Sequence, residues 1–151
     1  MSVPRLRPLT TTALLAAGLV AVPLLAAPAG AADGGRPLST TLTGAAEVPG
    51  PGDADGTGSA SVRVNVGQAQ VCVDLAVSGI APALAAHIHV APEGVAGPVV
   101  VPLAAPTSGS SSDCYDITRE LAKALVQHPE DYYVNVHNAD FPAGAVRGQL
   151  G

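Results

Sequence analysis

The stretch Val62-Arg63-Val64-Asn65-Val66-Gly67-Gln68-Ala69-Gln70-Val71-Cys72-Val73-Asp74-Leu75-Ala76-Val77 sets the fold class. Its valines and leucine fall on every second position on either side of Gly67-Gln68, and side chains two apart on a strand project to the same face. Each half therefore reads as a half-buried antiparallel strand, and Gly67-Gln68 is short enough for a tight hairpin between them. Working outward, Leu38, Thr40 and Leu42 repeat the alternation upstream. Downstream, strands are expected at 85–90, 98–103, 132–138 and 145–150, with a short one near Cys114.

One segment departs from this period. Ile117, Leu121, Ala124 and Leu125 recur at helical spacing, with Asp116 or Thr118 as N-cap and Pro129 just beyond the end. Arg119, Glu120 and Lys123 form its solvated face, and His128 is placed favourably against the helix dipole. The stretches 49–58 and 107–112 read as loops, the first exposed, acidic and flexible. Roughly eight short strands and one short helix predict an all-β fold, an immunoglobulin-like or Greek-key β-sandwich or barrel.

The chain has 151 residues and a formal charge of −5, enough for one domain of ordinary size. Hydrophobic residues make up 48%, yet there are only three Tyr, one Phe and no Trp, which excludes an extended aromatic platform for sugars or bases. An acidic balance with Lys123 as the single lysine excludes a phosphate-tracking groove, so no nucleic-acid partner is expected.

Residues 1–32 read as a secretory signal peptide, with Arg5 and Arg7 ahead of an apolar stretch and small residues at Ala29-Gly30-Ala31-Ala32 for cleavage. Pro23 and Pro28 interrupt the apolar run and no basic stop-transfer cluster follows, which argues against a membrane anchor. The expectation is a mature domain over 33–151 without a transmembrane segment, secreted or retained at the cell envelope. Both cysteines, Cys72 and Cys114, fall in that exported part, where an even pair reads as a structural disulfide.

Ala86-His87-Ile88-His89-Val90 is the most informative local pattern, because a strand places both imidazoles on one face. His137 ends Tyr132-Tyr133-Val134-Asn135-Val136-His137, where Tyr133, Asn135 and His137 share a face. If these strands neighbour each other, His87, His89 and His137 converge, and neutral imidazoles at that spacing suit copper or zinc, with Asn135 or Asp140 orienting their other nitrogens. The competing reading gives the histidines hydrogen bonds to backbone, holding the turn Glu93-Gly94-Val95-Ala96-Gly97-Pro98. Near the C-terminus Arg147 and Gln149 share one face of the last strand, and Glu47 is the acceptor favoured for a structural ion pair with Arg147. Gly-x-Ser-x-Gly, HExxH, Walker and dinucleotide signatures are missing, so no catalytic residue is assigned, and an enzyme on this chain would need metal chemistry.

Leu42-Thr43-Gly44-Ala45-Ala46-Glu47-Val48-Pro49, His87-Ile88-His89, Gly94-Val95-Ala96-Gly97-Pro98-Val99-Val100, Tyr132-Tyr133-Val134-Asn135-Val136-His137 and Phe141-Pro142-Ala143-Gly144-Ala145-Val146-Arg147-Gly148-Gln149-Leu150 occur in this order. Together they resemble the CHRD domain family, named from repeats in chordin and also found in secreted bacterial proteins. The resemblance covers nearly the whole of 33–151. It implies an extracellular immunoglobulin-like β-sandwich or barrel with no established catalytic activity. It does not imply growth-factor binding, since chordin's Cys-rich modules are missing and the Ala-rich leader looks bacterial. The HxH strand is also similar to part of the copper site of copper/zinc superoxide dismutase, although four His and no evident His/Asp zinc subsite leave that enzyme's bridging imidazole without a counterpart. The reading favoured on these grounds is a non-catalytic extracellular binding or structural module whose partner is an extracellular protein or envelope component. The alternative is an extracellular copper- or zinc-binding protein with dismutase-like redox chemistry.

Overall fold

The alternation that puts Val62, Val64, Val71 and Val73 on one face also decides how the chain pairs, as a computed structural model describing Met1 and residues 34–151 shows. The leader expected over 1–32 lies outside the described residues, apart from Met1. The strands are β1 (Arg36–Thr43), β2 (Thr57–Asn65), β3 (Gln70–Ser78), β4 (Ala83–Val90), β5 (Val99–Leu103), β6 (Ser110–Asp116), β7 (Tyr132–Asn138) and β8 (Val146–Gln149). All pair antiparallel in the order β5-β4-β7-β8-β1-β2-β3-β6.

The sheet curls into a nearly closed barrel, so of the two expected architectures the barrel is the one that forms. Its seam lies between β5 and β6, where side chains take the place of a ladder. The Tyr115 hydroxyl accepts from the Ala104 N–H at 2.6 Å, and the Ser111 hydroxyl donates to the Ala104 carbonyl at 2.8 Å. With that seam counted as a neighbour pair, β4, β5 and β6 run side by side and β7 returns beside β4, which is a Greek-key arrangement.

Inside the barrel, Leu38, Leu42, Val62, Val64, Val71 and Val73 meet Ile88, Val134, Val136 and Val146, all under 5% exposed. The helix α1 (Arg119–Gln127) adds Ala122 and Leu125 to this core. Of its two expected caps Thr118 is used, its hydroxyl accepting from the Leu121 N–H at 3.1 Å, because Asp116 is still paired in β6. His128 closes the helix as C-cap and stays exposed, 3.7 Å from Glu130. Cys72 and Cys114 sit opposite each other on β3 and β6 and are joined by a disulfide.

Three local expectations are corrected. The β2–β3 connection is a four-residue turn over 66–69, with Ala69 at positive φ, because the Asn65 side chain accepts the Gln68 N–H and donates to the Gln68 side chain. The serines of 107–112 are only partly loop, since β6 begins at Ser110 and is held by β3 and by the Ser111 bond across the seam. The 49–58 loop is docked: Gly52 N–H donates to Gly44 O and Asp53 N–H to Ala145 O, both at 2.8 Å, and Gly52 and Gly56 are buried. A side chain at Gly52 would collide with the backbone of Ala145, so this approach requires glycine there.

Candidate metal centre

β4 and β7 are neighbours, so the condition for convergence of the three histidines is met. The register opposes Ala85 to His137, His87 to Asn135 and His89 to Tyr133. β8 lies on the other side of β7, with Arg147 opposite Asn135 and Gln149 opposite Tyr133. While Ile88, Val134, Val136 and Val146 point into the core, the residues alternating with them form a polar layer on the outside of the barrel. The connection over 91–98 folds across this layer: Arg147 donates to Pro92 O at 3.3 Å and Gln149 to Ala91 O at 2.8 Å. The cover leaves His89 and Arg147 only 8% and 2% exposed, although they face away from the core.

Ring centroids of His87 and His89 are 5.4 Å apart, those of His87 and His137 5.0 Å, and those of His89 and His137 6.5 Å. One nitrogen from each ring lies within 4.8 Å of the others, and among the described residues no Cys, Asp or Glu joins the group. The other partners of the rings decide which nitrogens these are. His89 Nδ1 is 2.8 Å from the Gly97 carbonyl and His137 Nδ1 is 3.1 Å from the Pro142 carbonyl. A carbonyl only accepts, so in a neutral His89 ring the proton sits on Nδ1 and the Nε2 lone pair is left free. His87 Nδ1 stands 3.1 Å from His137 Nε2, and Asn135 Oδ1, which only accepts, lies 3.0 Å from the same Nε2. His89 Nε2 is buried without a hydrogen-bond partner. The rings thus bring His87 Nδ1 and His137 Nε2 together and leave His89 Nε2 unpartnered, with backbone carbonyls orienting two of the three rings.

Electrostatics favour the neutral form of His87 and of His137. Burial lowers the pKa of His87, and the neighbouring His137 and His89 lower it further, against a hydrogen bond that Asn135 accepts from it. Burial also lowers that of His137, with the Pro142 carbonyl pulling the other way. A metal ion needs the deprotonated nitrogen, so both shifts extend the pH range over which the group can bind one.

Tyr133 ties the cluster to the rest of the layer. Its ring stacks on His89 at 4.6 Å and 7°, and the Arg147 guanidinium carbon lies 3.4 Å from its centroid. Its hydroxyl accepts from Gly97 N–H at 3.2 Å, on the residue whose carbonyl holds His89. One nitrogen of His89 therefore holds the turn while the other is without a partner.

Glu47 and Arg147 line one cavity of about 210 Å³ but make no direct ion pair. Arg147 is held by Gln149 at 3.4 Å on its own face of β8, and by Tyr133 and the Pro92 carbonyl, which no pattern along β8 signals because they lie on another strand and on backbone. The Glu47 carboxyl is pushed up to about 7 by burial, against the Val48 backbone N–H and the charge of Arg147. Asp140, considered as a group orienting the histidines, stays exposed after β7, and Asn135 takes that place. The Gln149 amide, which donates to both Ala91 O and Glu130 O, is a further residue of the layer whose partners no local pattern signals.

The CHRD domain family model matches residues 38–150, which include β2 to β8, the helix and all three histidines. No curated protein and no solved structure matches the chain. Among the described residues no helix is long and apolar enough to cross a membrane.

Proposed function

Since the chain belongs to the CHRD domain family, we propose that it acts as an exported binding module, and that a copper or zinc ion held by His87, His89 and His137 is what its outer polar layer binds. The observation that carries this reading is the approach of three imidazole nitrogens to within 4.8 Å of one another, one of them buried and without a partner. Bonds of about 2 Å from each nitrogen to one ion need nitrogen separations of roughly 3.5 Å, so binding would draw the rings together from separations of up to 4.8 Å. Leaving His89 Nε2 buried and unpaired costs about 1–3 kcal/mol, and a metal ion would relieve that cost.

Export is supported by the leader pattern over 1–32 and by the disulfide, which persists in oxidising compartments. The module is secreted or stays at the envelope, where an extracellular protein or envelope component would be its macromolecular partner. Calorimetric titration of chelator-stripped protein with copper and with zinc tests the proposal, beside a His87→Ala/His89→Ala variant of confirmed fold. One-to-one binding weakened at least about a hundredfold in the variant is expected. Equal, weak binding by both proteins would leave the histidines as structural groups holding the 91–98 connection.

A further inference from the structure

We infer that the three-histidine centre prefers monovalent copper to zinc and to divalent copper, an inference that rests on the metal-binding reading above. The donor set comes first. All three ligands are neutral nitrogens, and among the described residues no carboxylate or thiolate joins them, so the protein brings no negative charge to the ion. Monovalent copper is a closed-shell ion satisfied by three nitrogens. Zinc completes a tetrahedron and must find a fourth ligand outside this set.

The buried charge stacked against the site is positive. Arg147 is 2% exposed, its guanidinium carbon lies 3.4 Å from the Tyr133 centroid, and that ring stacks on His89 at 4.6 Å. Because β4 and β8 flank β7 on opposite sides, Tyr133 stands between the ligand ring and the guanidinium. Among the described residues no carboxylate forms an ion pair with Arg147, although Glu47 and the exposed Glu93 line its cavity. Glu47 faces the same cavity, but its carboxyl, raised to about 7, cancels that charge only in part near neutrality. Glu93 and Asp140 on the flanking connections are exposed, where water screens them.

A divalent ion feels the repulsion of Arg147 twice as strongly as a monovalent one. At about 10 Å and an effective dielectric constant of about 20, one unit charge discriminates between the two ions by roughly tenfold. Arg147 therefore acts on the site through Tyr133 and through space, as a positioning and tuning residue.

The test compares affinities on one protein. Monovalent copper is titrated anaerobically against a chromogenic chelator selective for that ion, and zinc and divalent copper against chelators of known affinity. The wild-type protein, Arg147→Lys and Arg147→Gln are measured side by side. The expected result is tighter binding of monovalent copper, a preference over zinc reduced roughly tenfold in Arg147→Gln, and a preference kept in Arg147→Lys. A ratio of affinities is insensitive to loss of folded protein, which lowers all three alike. Should Arg147→Gln not fold, the wild-type ratios decide alone. Zinc or divalent copper bound as tightly as monovalent copper would overturn the inference while leaving the metal site intact, as would a ratio unmoved in folded Arg147→Gln. Failure of every ion to bind would overturn the metal-binding reading itself.

Discussion

The two flanks of the barrel treat their outer faces differently. On β1, β2, β3 and β6 the residues alternating with the core, such as Ser39, Thr41, Ser61, Arg63 and Asp74, face outward, and most are exposed. On β4, β7 and β8 the corresponding positions hold His87, His89, Tyr133, Asn135, His137 and Arg147, and the 91–98 connection covers much of that layer. One flank is scaffold with water on its outer side. The other carries a second interior that is polar, and all three unpartnered buried side-chain atoms of the described residues, Glu47 Oε1, His89 Nε2 and Arg147 NH1, lie there. Buried polar groups are ordinarily satisfied, so a concentration of exceptions on one face marks where the fold has been shaped by something other than stability.

The contrast makes predictions that separate the flanks. The largest concerns the scaffold. Replacing Cys72 and Cys114 together by Ala opens a 42-residue separation between the crosslinked positions, which on the chain-entropy model costs about 4 kcal/mol of stability. Denaturant unfolding should show this loss. Metal titration below the new unfolding midpoint should be unchanged, and altered affinity would mean that the flanks are not independent.

A smaller effect belongs to the polar layer and shows in pH. The folded pKa of Glu47 is raised to about 7 from 4.5, so its stabilising contribution is complete below about 4.5 and is lost as pH rises through 7. Screening by nearby water brings the change to roughly 2 kcal/mol. Glu47→Gln should remove that alkaline loss and leave the acid side alone. For His87 and His137 the folded pKa values are lowered, so stability falls as pH drops below the ordinary imidazole range. A flat profile for wild type between pH 5 and 9 would show that the layer is more hydrated than its burial suggests. The smallest effect is at the helix: Thr118→Ala removes the hydroxyl that accepts from Leu121 N–H and should cost about 1 kcal/mol without touching metal affinity.

Much of this molecule was legible before any coordinates. Alternation located the strands to within a few residues, and helical spacing around Leu121 and Leu125 located α1. The His87/His89 pair followed from the same period. The partners of Arg147 were not legible. Glu47 was the nearest reasonable acceptor by charge, yet the guanidinium is held by an aromatic face and a backbone carbonyl, and neither advertises itself as a partner in a sequence. The docking of the 49–58 loop escaped for a related reason, since its anchors are carbonyls of Gly44 and Ala145 that any residue could supply.

What the sequence by itself determined is therefore whatever depends on neighbours along the chain: the period of two, the helix and its cap, and the family. Tertiary structure alone decided that β7 lies between β4 and β8, and with it the meeting of His137 with His87, the insertion of Tyr133 between His89 and Arg147, and the burial of a layer that local pattern reads as surface. The physical reason is that a strand's face is set by its own backbone geometry, whereas its neighbours are set by how the whole sheet closes around its core.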